Sequence, residues 1–290
     1  MKPAPFEYVV PDSVNEVLEL LVEHGDDAKL LAGGQSLVPA MNFRLTQPSL
    51  IIDLNRLDNL EYISESSSSA LKIGAMTRQR QIERSSLIKA KAPLLHETMP
   101  FIAHEQIRNR GTLGGSIVHA DPASELPVII TALSGRVLFQ SLRGQRWVSA
   151  DDCFVGIFTT DIEPDEMLIE VELPPMPPRT GWAFTEFSRR VGDYALIGLA
   201  AVMTLDEGGV CRSTKIVYLN AGDLPVSAEV ASSILIGQRP TRELLKTVAE
   251  EAQLEINPTG DIHATETYLR HLARVLTLRA LTTAYERALN

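Results

Sequence analysis

Apolar residues recur at helical spacing at Val14, Val17, Leu18, Leu21 and Val22, with Asp12 or Ser13 placed to cap the segment and His24-Gly25 to end it. The short apolar run Ala28-Lys29-Leu30-Leu31 predicts a strand, Leu37 to Leu45 opens a helix despite Pro39, and Leu50 to Leu54 predicts a buried strand. Tyr62-Ile63 and Ala70 to Gly74 form a hairpin across the serine cluster Ser66 to Ser69, which reads as a loop tip. Thr77 to Glu83 and Pro93 to Ala103 look helical, and Pro127 to Leu133 is apolar enough to continue a helix. Gly135 to Leu142 and Gln145 to Val148 alternate as a strand pair, and Met167 to Leu173 is a further strand.

That strand stops at Pro174-Pro175-Met176-Pro177-Pro178, where proline density excludes a helix or central strand and favours an extended connector. The main domain boundary is expected here, with residues 1–175 (subdomains about 1–55 and 56–175) before it and 180–290 after it. Beyond it, strands at Ala183 to Arg189, Leu196 to Leu205 and Cys211 to Leu219 precede helices near Pro225 to Leu235, Thr241 to Glu251 and Ala264 to Ala288. In the last helix, Leu269, Leu272, Leu276 and Ala280 repeat at core-packing spacing. The pattern predicts an α+β protein whose smaller C-terminal domain holds three strands and three helices.

Two glycine-rich turns carry the candidate chemistry. The first, Ala32-Gly33-Gly34-Gln35-Ser36, sits between a strand and a helix start, an arrangement that aims free amides and the positive helix end at an anion. A plain strand-to-helix connection fits the same residues. The second turn, Thr112-Leu113-Gly114-Gly115-Ser116, follows Arg108 and Arg110 and precedes Ala120-Asp121-Pro122-Ala123-Ser124-Glu125. On a helical turn Asp121 and Glu125 share a face. Asp121 is equally well placed to cap a helix or to touch a ligand, and Glu125 to be a solvated first-turn acid. Two such turns suit an extended ligand held from both sides, such as a dinucleotide. Neither turn has the G-x-G-x-x-G spacing, so a doubly wound dinucleotide fold is not expected.

A formal charge of −10 disfavours nucleic acid and anionic membrane surfaces as partners. The two cysteines, Cys153 and Cys211, are too few for a disulfide framework or for a four-thiolate iron–sulfur cluster. The six histidines never fall into a tight ligand spacing, although His104 and His119 flank the second turn. No run of apolar residues is long enough to span a membrane, and a cytoplasmic location is expected.

With the two turns, Ile73-Gly74-Ala75-Met76-Thr77 and Phe187-Ser188-Arg189-Arg190-Val191-Gly192-Asp193-Tyr194-Ala195, the chain resembles the flavin-binding medium subunits of the molybdenum hydroxylases, the group that contains carbon monoxide dehydrogenase and xanthine dehydrogenase. The resemblance runs from Phe6 to the last helix. It implies a two-lobed FAD-binding domain of PCMH type and a C-terminal domain of the CO dehydrogenase flavoprotein type. By the same resemblance Ala32, Gly33, Gly34, Gln35 and Ser36 wrap the diphosphate with amides, Thr112, Gly114, Gly115 and Ser116 hold it from the other side, and Thr77 and Asp121 belong to the cofactor site. Glu125 touches the hydroxylated chain, Leu168 packs near the isoalloxazine and Tyr194 lies over its face. No metal ligand or catalytic side chain is implied. The implied partners are an iron–sulfur small subunit and a molybdenum-cofactor large subunit, as a dimer of heterotrimers, with electrons passing through FAD to a terminal acceptor. One departure is that Thr185 and Glu186 stand where several relatives place a lysine near the flavin. A free-standing FAD oxidase with its own substrate pocket, or a non-enzymatic nucleotide-binding module, are the alternative readings.

Overall fold

The computed structural model describes residues 2–290. Strands β1 (Glu7–Val9), β2 (Ala28–Leu31) and β3 (Leu50–Asp53) form a parallel sheet in the order β1-β3-β2. Helix α1 (Val14–His24), capped by Ser13, buries Val17, Leu18 and Leu21 with the core of this lobe. The short helix α2 (Leu37–Asn42) follows the first glycine turn.

The second lobe is built on a five-stranded antiparallel sheet in which β4 (Ile63–Glu65), β5 (Leu71–Gly74), β6 (Arg136–Ser141), β7 (Gly144–Ser149) and β10 (Met167–Leu173) run in the order β4-β5-β10-β6-β7. A small hairpin of β8 (Phe154–Gly156) and β9 (Thr159–Thr160) lies between β7 and β10 in sequence. The helices between β5 and β6 are α3 (Gln79–Arg84), α4 (Ser86–Lys91), α5 (Pro93–Thr98), α6 (Glu105–Arg108), α7 (Leu113–His119) and α8 (Glu125–Ala132), with the single turn α9 (Ala150–Cys153) after β7. Helix α8 is buried along its whole length, which is why its residues show no amphipathic period.

After Leu173 the chain leaves this sheet. Strands β11 (Thr180–Ser188), β12 (Ala195–Leu205), β13 (Cys211–Leu219) and β14 (Val226–Ser227) form a separate antiparallel sheet, followed by α10 (Glu229–Leu235), α11 (Arg242–Ala252) and α12 (Glu266–Leu289). The expected three strands are joined by a fourth of two residues, too short to leave an alternating pattern. One face of this sheet, with Ala183, Ile197, Leu199 and Ala201, packs on α12. The other, with Phe184, Ala200 and Val217, joins the core of the second lobe. Phe184 meets Phe101 edge to face at 5.1 Å, and the Asn220 amide donates to Pro122 O at 2.7 Å.

The two glycine turns touch each other where the first two lobes meet, beside the core that Leu18 and Ile52 share with Leu138, Met167 and Ile169. A Cβ at Gly33 would run into Arg110 O and would stand 2.8 Å from Gly111 Cα. Gly34 has φ +71°, a left-handed conformation that glycine adopts without strain. The Arg78 guanidinium ties the lobes together, donating through Nη1 to Arg110 O at 2.5 Å and through Nη2 to Asn55 Oδ1 at 2.5 Å. Asn55 Nδ2 donates in turn to Ala32 O at 3.0 Å, and Asp53 accepts hydrogen bonds from both Asn55 and Tyr8.

Because Gly33 faces rigid backbone, Gly33→Val is expected to cost about 3 kcal/mol in denaturant unfolding. A Cβ at Gly115 meets the Thr112 hydroxyl at 2.8 Å and Ala32 Cβ at 3.6 Å, contacts a side-chain rotation can relieve. Gly115→Val is therefore expected to cost about 1 kcal/mol. Equal losses would show that the loop contact does not hold the lobes in register.

Candidate functional site

A cleft of about 800 Å³ opens where the two glycine turns meet, within the size range of small-molecule and cofactor sites. Ala32, Gly33, Gly34, Gln35 and Ser36 line it from the first lobe, and Thr112, Gly114, Gly115, Ser116, Asp121, Glu125 and Leu168 from the second. Tyr194, in the loop between β11 and β12, lines it from the C-terminal sheet. Of the residues singled out in the sequence, Thr77 alone is absent from the walls. It is 1 % exposed, its hydroxyl donates to Tyr62 O at 2.9 Å, and its carbonyl accepts the Leu113 amide at 3.0 Å. Thr77 supports the second turn from behind.

Hydrogen bonding separates the two turns. Among the described residues no acceptor is found for the amides of Gly33, Gly34, Gln35 and Ser36, whereas the following amides Val38 and Ala40 are taken by Gly34 O and Ser36 O. Gln35 does not fill the gap, because its Nε2 donates to Gly33 O at 2.8 Å. Consecutive unpaired amides at the start of α2 present partial positive charge to the cleft and call for an acceptor-rich ligand.

The second turn lacks this property. Leu113 N donates to Thr77 O, Gly114 N to Ala75 O, Gly115 N to the capping hydroxyl of Thr112 at 3.0 Å, and Ser116 N to Thr112 O. The expectation that both turns expose main-chain donors therefore holds for the first turn only. The cause is that the second turn is itself the capped first turn of α7, packed so closely on β5 and β10 that a Cβ at Gly114 would stand 2.8 Å from Ala75 O and 2.9 Å from Leu168 Cδ2. Its polar contribution comes from side chains, such as the Ser116 hydroxyl, which shares a 2.8 Å hydrogen bond with Ser124.

Asp121 caps no helix. Ser124 occupies the N-cap position of α8, and Asp121 accepts from Ala123 N at 2.9 Å in a turn before it, so Asp121 and Glu125 do not share a helical face. Glu125 is not a solvated acid either. It is 8 % exposed, and burial pushes its carboxyl up to about 7, with the nearby charge of Asp121 acting in the same direction. Leu168 is 5 % exposed beside a β-bulge of β10. The Tyr194 ring is 71 % exposed at the mouth, with its phenol raised by local desolvation and then by the charges of Asp121 and Glu125.

Gln79 and Lys29 line the cleft without a sequence signal, whereas His119, which flanks the second turn in the sequence, lines it and His104 does not. Gln79 is buried, and its Oε1 has no hydrogen-bond partner among the described residues. His119 stacks on Phe158 with centroids 5.0 Å apart, and burial pushes its imidazole below the ordinary value, so it is neutral at pH 7. Lys29 also lines the cleft, from a strand position that reads as ordinary alternation. His104 packs under Gly192, where a Cβ would stand 2.5 Å from Nδ1. Arg108, which precedes the second turn in the sequence, is buried in an ion pair with Glu83 at 3.0 Å. Among the described residues there is no cluster of His, Cys, Asp and Glu able to hold a metal ion, and no helix long and apolar enough to cross a membrane.

Residues 4–176 match the family model described as the FAD binding domain in molybdopterin dehydrogenase, and residues 182–284 match the CO dehydrogenase flavoprotein C-terminal domain. The chain is 43 % identical to the 6-hydroxypseudooxynicotine dehydrogenase complex subunit alpha of Paenarthrobacter nicotinovorans, over 99 % of this chain and 97 % of the relative. Its structure superposes on a chain of the carbon monoxide dehydrogenase from Hydrogenophaga pseudoflava with a TM-score of 0.96 and 38 % identity, covering 99 % of both chains. For quinoline 2-oxidoreductase from Pseudomonas putida 86 the TM-score is 0.94 and the identity 36 %, with both chains fully covered. Amides that demand an acceptor-rich ligand, a dinucleotide-sized cleft and likeness over nearly its whole length place this chain in the family of FAD-binding flavoprotein subunits of molybdopterin dehydrogenases.

Proposed function

We propose that this chain is the electron-transferring FAD subunit of a molybdenum hydroxylase complex, taking electrons from iron–sulfur clusters of a small subunit that are fed by a molybdenum-cofactor large subunit. The observation that carries the reading is the run of four amides without an acceptor among the described residues, Gly33 to Ser36, on the wall of a cleft of about 800 Å³. The first turn and the α2 helix start bind the diphosphate, and the Thr112 and Ser116 side chains border it from the facing wall. Gly115 leaves the space between the walls open toward Ala32. Glu125 and Asp121 accept hydrogen bonds from the hydroxylated chain, Leu168 forms an apolar floor beneath the ring, and Tyr194 lies over it.

FAD, when bound, supplies the redox chemistry. The chain's own residues bind it, orient it and shield it from water. Among the described residues no nucleophile with a neighbouring base lines the cleft, and the one histidine among them there, His119, stacks on Phe158. The relatives named above act on a pseudooxynicotine, carbon monoxide and quinoline by their names, yet superpose so closely or align so fully that these different substrates are best placed on another polypeptide. A dimer of heterotrimers in the cytoplasm is the assembly this reading implies. The chain divides functionally into residues 1–175, which hold the cofactor, and 180–290, which close the ring end.

The purified chain is expected to bind FAD stoichiometrically, as read by quenching of flavin fluorescence, and to turn over no small substrate by itself. Gly115→Val, folded, is expected to weaken FAD binding at least about tenfold, or about 1.4 kcal/mol. Unchanged binding would remove the glycine turns from the site. Substrate-dependent bleaching by the lone chain would favour a free-standing oxidase, and affinity purification from the native cell is expected to recover an iron–sulfur chain and a molybdenum chain.

A further inference from the structure

Gln79 is the first residue of α3, and its main chain is fastened to the second turn. Its backbone amide donates to Gly111 O at 2.9 Å, and Leu113 N donates back to Thr77 O at 3.0 Å. The side chain then folds over Gly111. A Cβ there would stand 2.7 Å from Gln79 Oε1 and 2.9 Å from its Cδ, so the bare glycine is what leaves room for the amide plane. Gln79 is 5 % exposed and lines the cleft. Its Oε1 is sealed from solvent without a hydrogen-bond partner among the described residues, and Nε2, which makes no hydrogen bond among them either, is the end that is not sealed. A side-chain amide buried to this degree without a partner is costly, and a ligand in the cleft completes it.

The contacts around Gly111 set this amide beside the first turn. A Cβ at Gly33 would lie 2.8 Å from Gly111 Cα, so a single glycine separates Gln79 from the residue at which the run of unpaired amides begins. The second turn has no main-chain donor to offer there, because its amides close on Thr77, Ala75 and Thr112. The neighbouring guanidiniums are committed as well. Arg78 donates to Arg110 O and Asn55, Arg80 pairs with Glu83 and Glu105, Arg108 pairs with Glu83, and Arg110 does not line the cleft.

We propose that Gln79 is a cofactor-binding residue that donates through Nε2 to the diphosphate of FAD from the second lobe, in place of the main-chain donors that the second turn keeps for itself. The inference rests on the FAD reading above. The diphosphate is then gripped by backbone amides of one lobe and by a side-chain amide of the other, and a neutral glutamine does this without setting a negative charge against the phosphates. Gly111 acts through Gln79, holding the amide plane in place by having no side chain of its own.

The test titrates FAD into the flavin-free full-length chain, reading quenching of flavin fluorescence, for the wild type, Gln79→Leu and Gln79→Glu, with phosphorus NMR and the visible spectrum of the bound cofactor as further readouts. Leucine fills the same space without a donor and is expected to weaken binding about tenfold, the loss typical of one hydrogen bond to a charged group. Glutamate, which can only accept and adds a like charge, is expected to weaken it further. In Gln79→Leu a phosphorus resonance of bound FAD is expected to shift while the visible band of the ring stays in place, a pattern that general damage to the cleft would not give. Wild-type affinity in either variant, or an unmoved phosphorus spectrum, overturns the assignment of Gln79. Gly111→Ala provides an independent variant: its methyl displaces the Gln79 amide while its nearest backbone contact, Ile107 O, stands at 3.2 Å. It is expected to lose as much affinity as Gln79→Leu, and the double variant no more than either alone, whereas additive losses overturn the proposal. A wild-type chain that binds no FAD overturns the underlying reading itself, while wild-type binding with unaffected variants overturns only the role of Gln79.

Discussion

The site depends on one backbone contact, Gly33 of the first lobe against Arg110 O and Gly111 Cα of the second. No side chain fits between them, so the two turns approach as bare main chain and the cleft forms along their seam. The Arg78 guanidinium fixes that approach by donating to a carbonyl of one turn and, through Asn55, to a carbonyl of the other. The half-buried Arg78 guanidinium makes both contacts as charge-assisted hydrogen bonds. Arg78 and Asn55, which do not line the cleft, thus join the lobes together with the core that Leu18 and Ile52 share with Leu138, Met167 and Ile169.

The two turns contribute unequally to the cleft. The second turn is a capped helix start whose amides close onto Thr77, Ala75 and Thr112, so it provides shape and hydroxyls. The first turn lies between the end of β2 and the start of α2, where neither the ladder nor the helix can accept its donors. These half-exposed amides have no acceptor within the chain, and a ligand carrying phosphate oxygens can accept from several of them together.

Much of this was legible in the chain. Met167–Leu173, Ala28–Leu31 and Cys211–Leu219 form the strands their apolar patterns predict, and thirteen of the fourteen residues singled out, all but Thr77, line one cleft. What escaped depends on tertiary partners. Gly33 and Gly114 are glycines because other backbone or a strand lies against them, a reason no local pattern encodes. Asp121 resembles a cap before proline, yet the helix starts four residues later because Ser124 takes the N-cap position. The single-turn helices and the two-residue strand β14 are too short for a period to emerge. Gln79 and Lys29 enter the walls only through the way α3 and β2 are packed.

The polarity of the cleft follows from these placements and orients what it holds. Unpaired donors gather at the first turn, where Lys29 also lines the wall, while Asp121 and Glu125 line the cleft where their charges act on Tyr194. An elongated ligand with a doubly negative diphosphate and a chain of hydroxyl donors has one favourable direction in such a field: reversing it would set the diphosphate against buried carboxyls and leave the amides facing groups that accept poorly. Tyr194, 71 % exposed, stands at the carboxylate end of that field, where the charges of Asp121 and Glu125 act on its phenol.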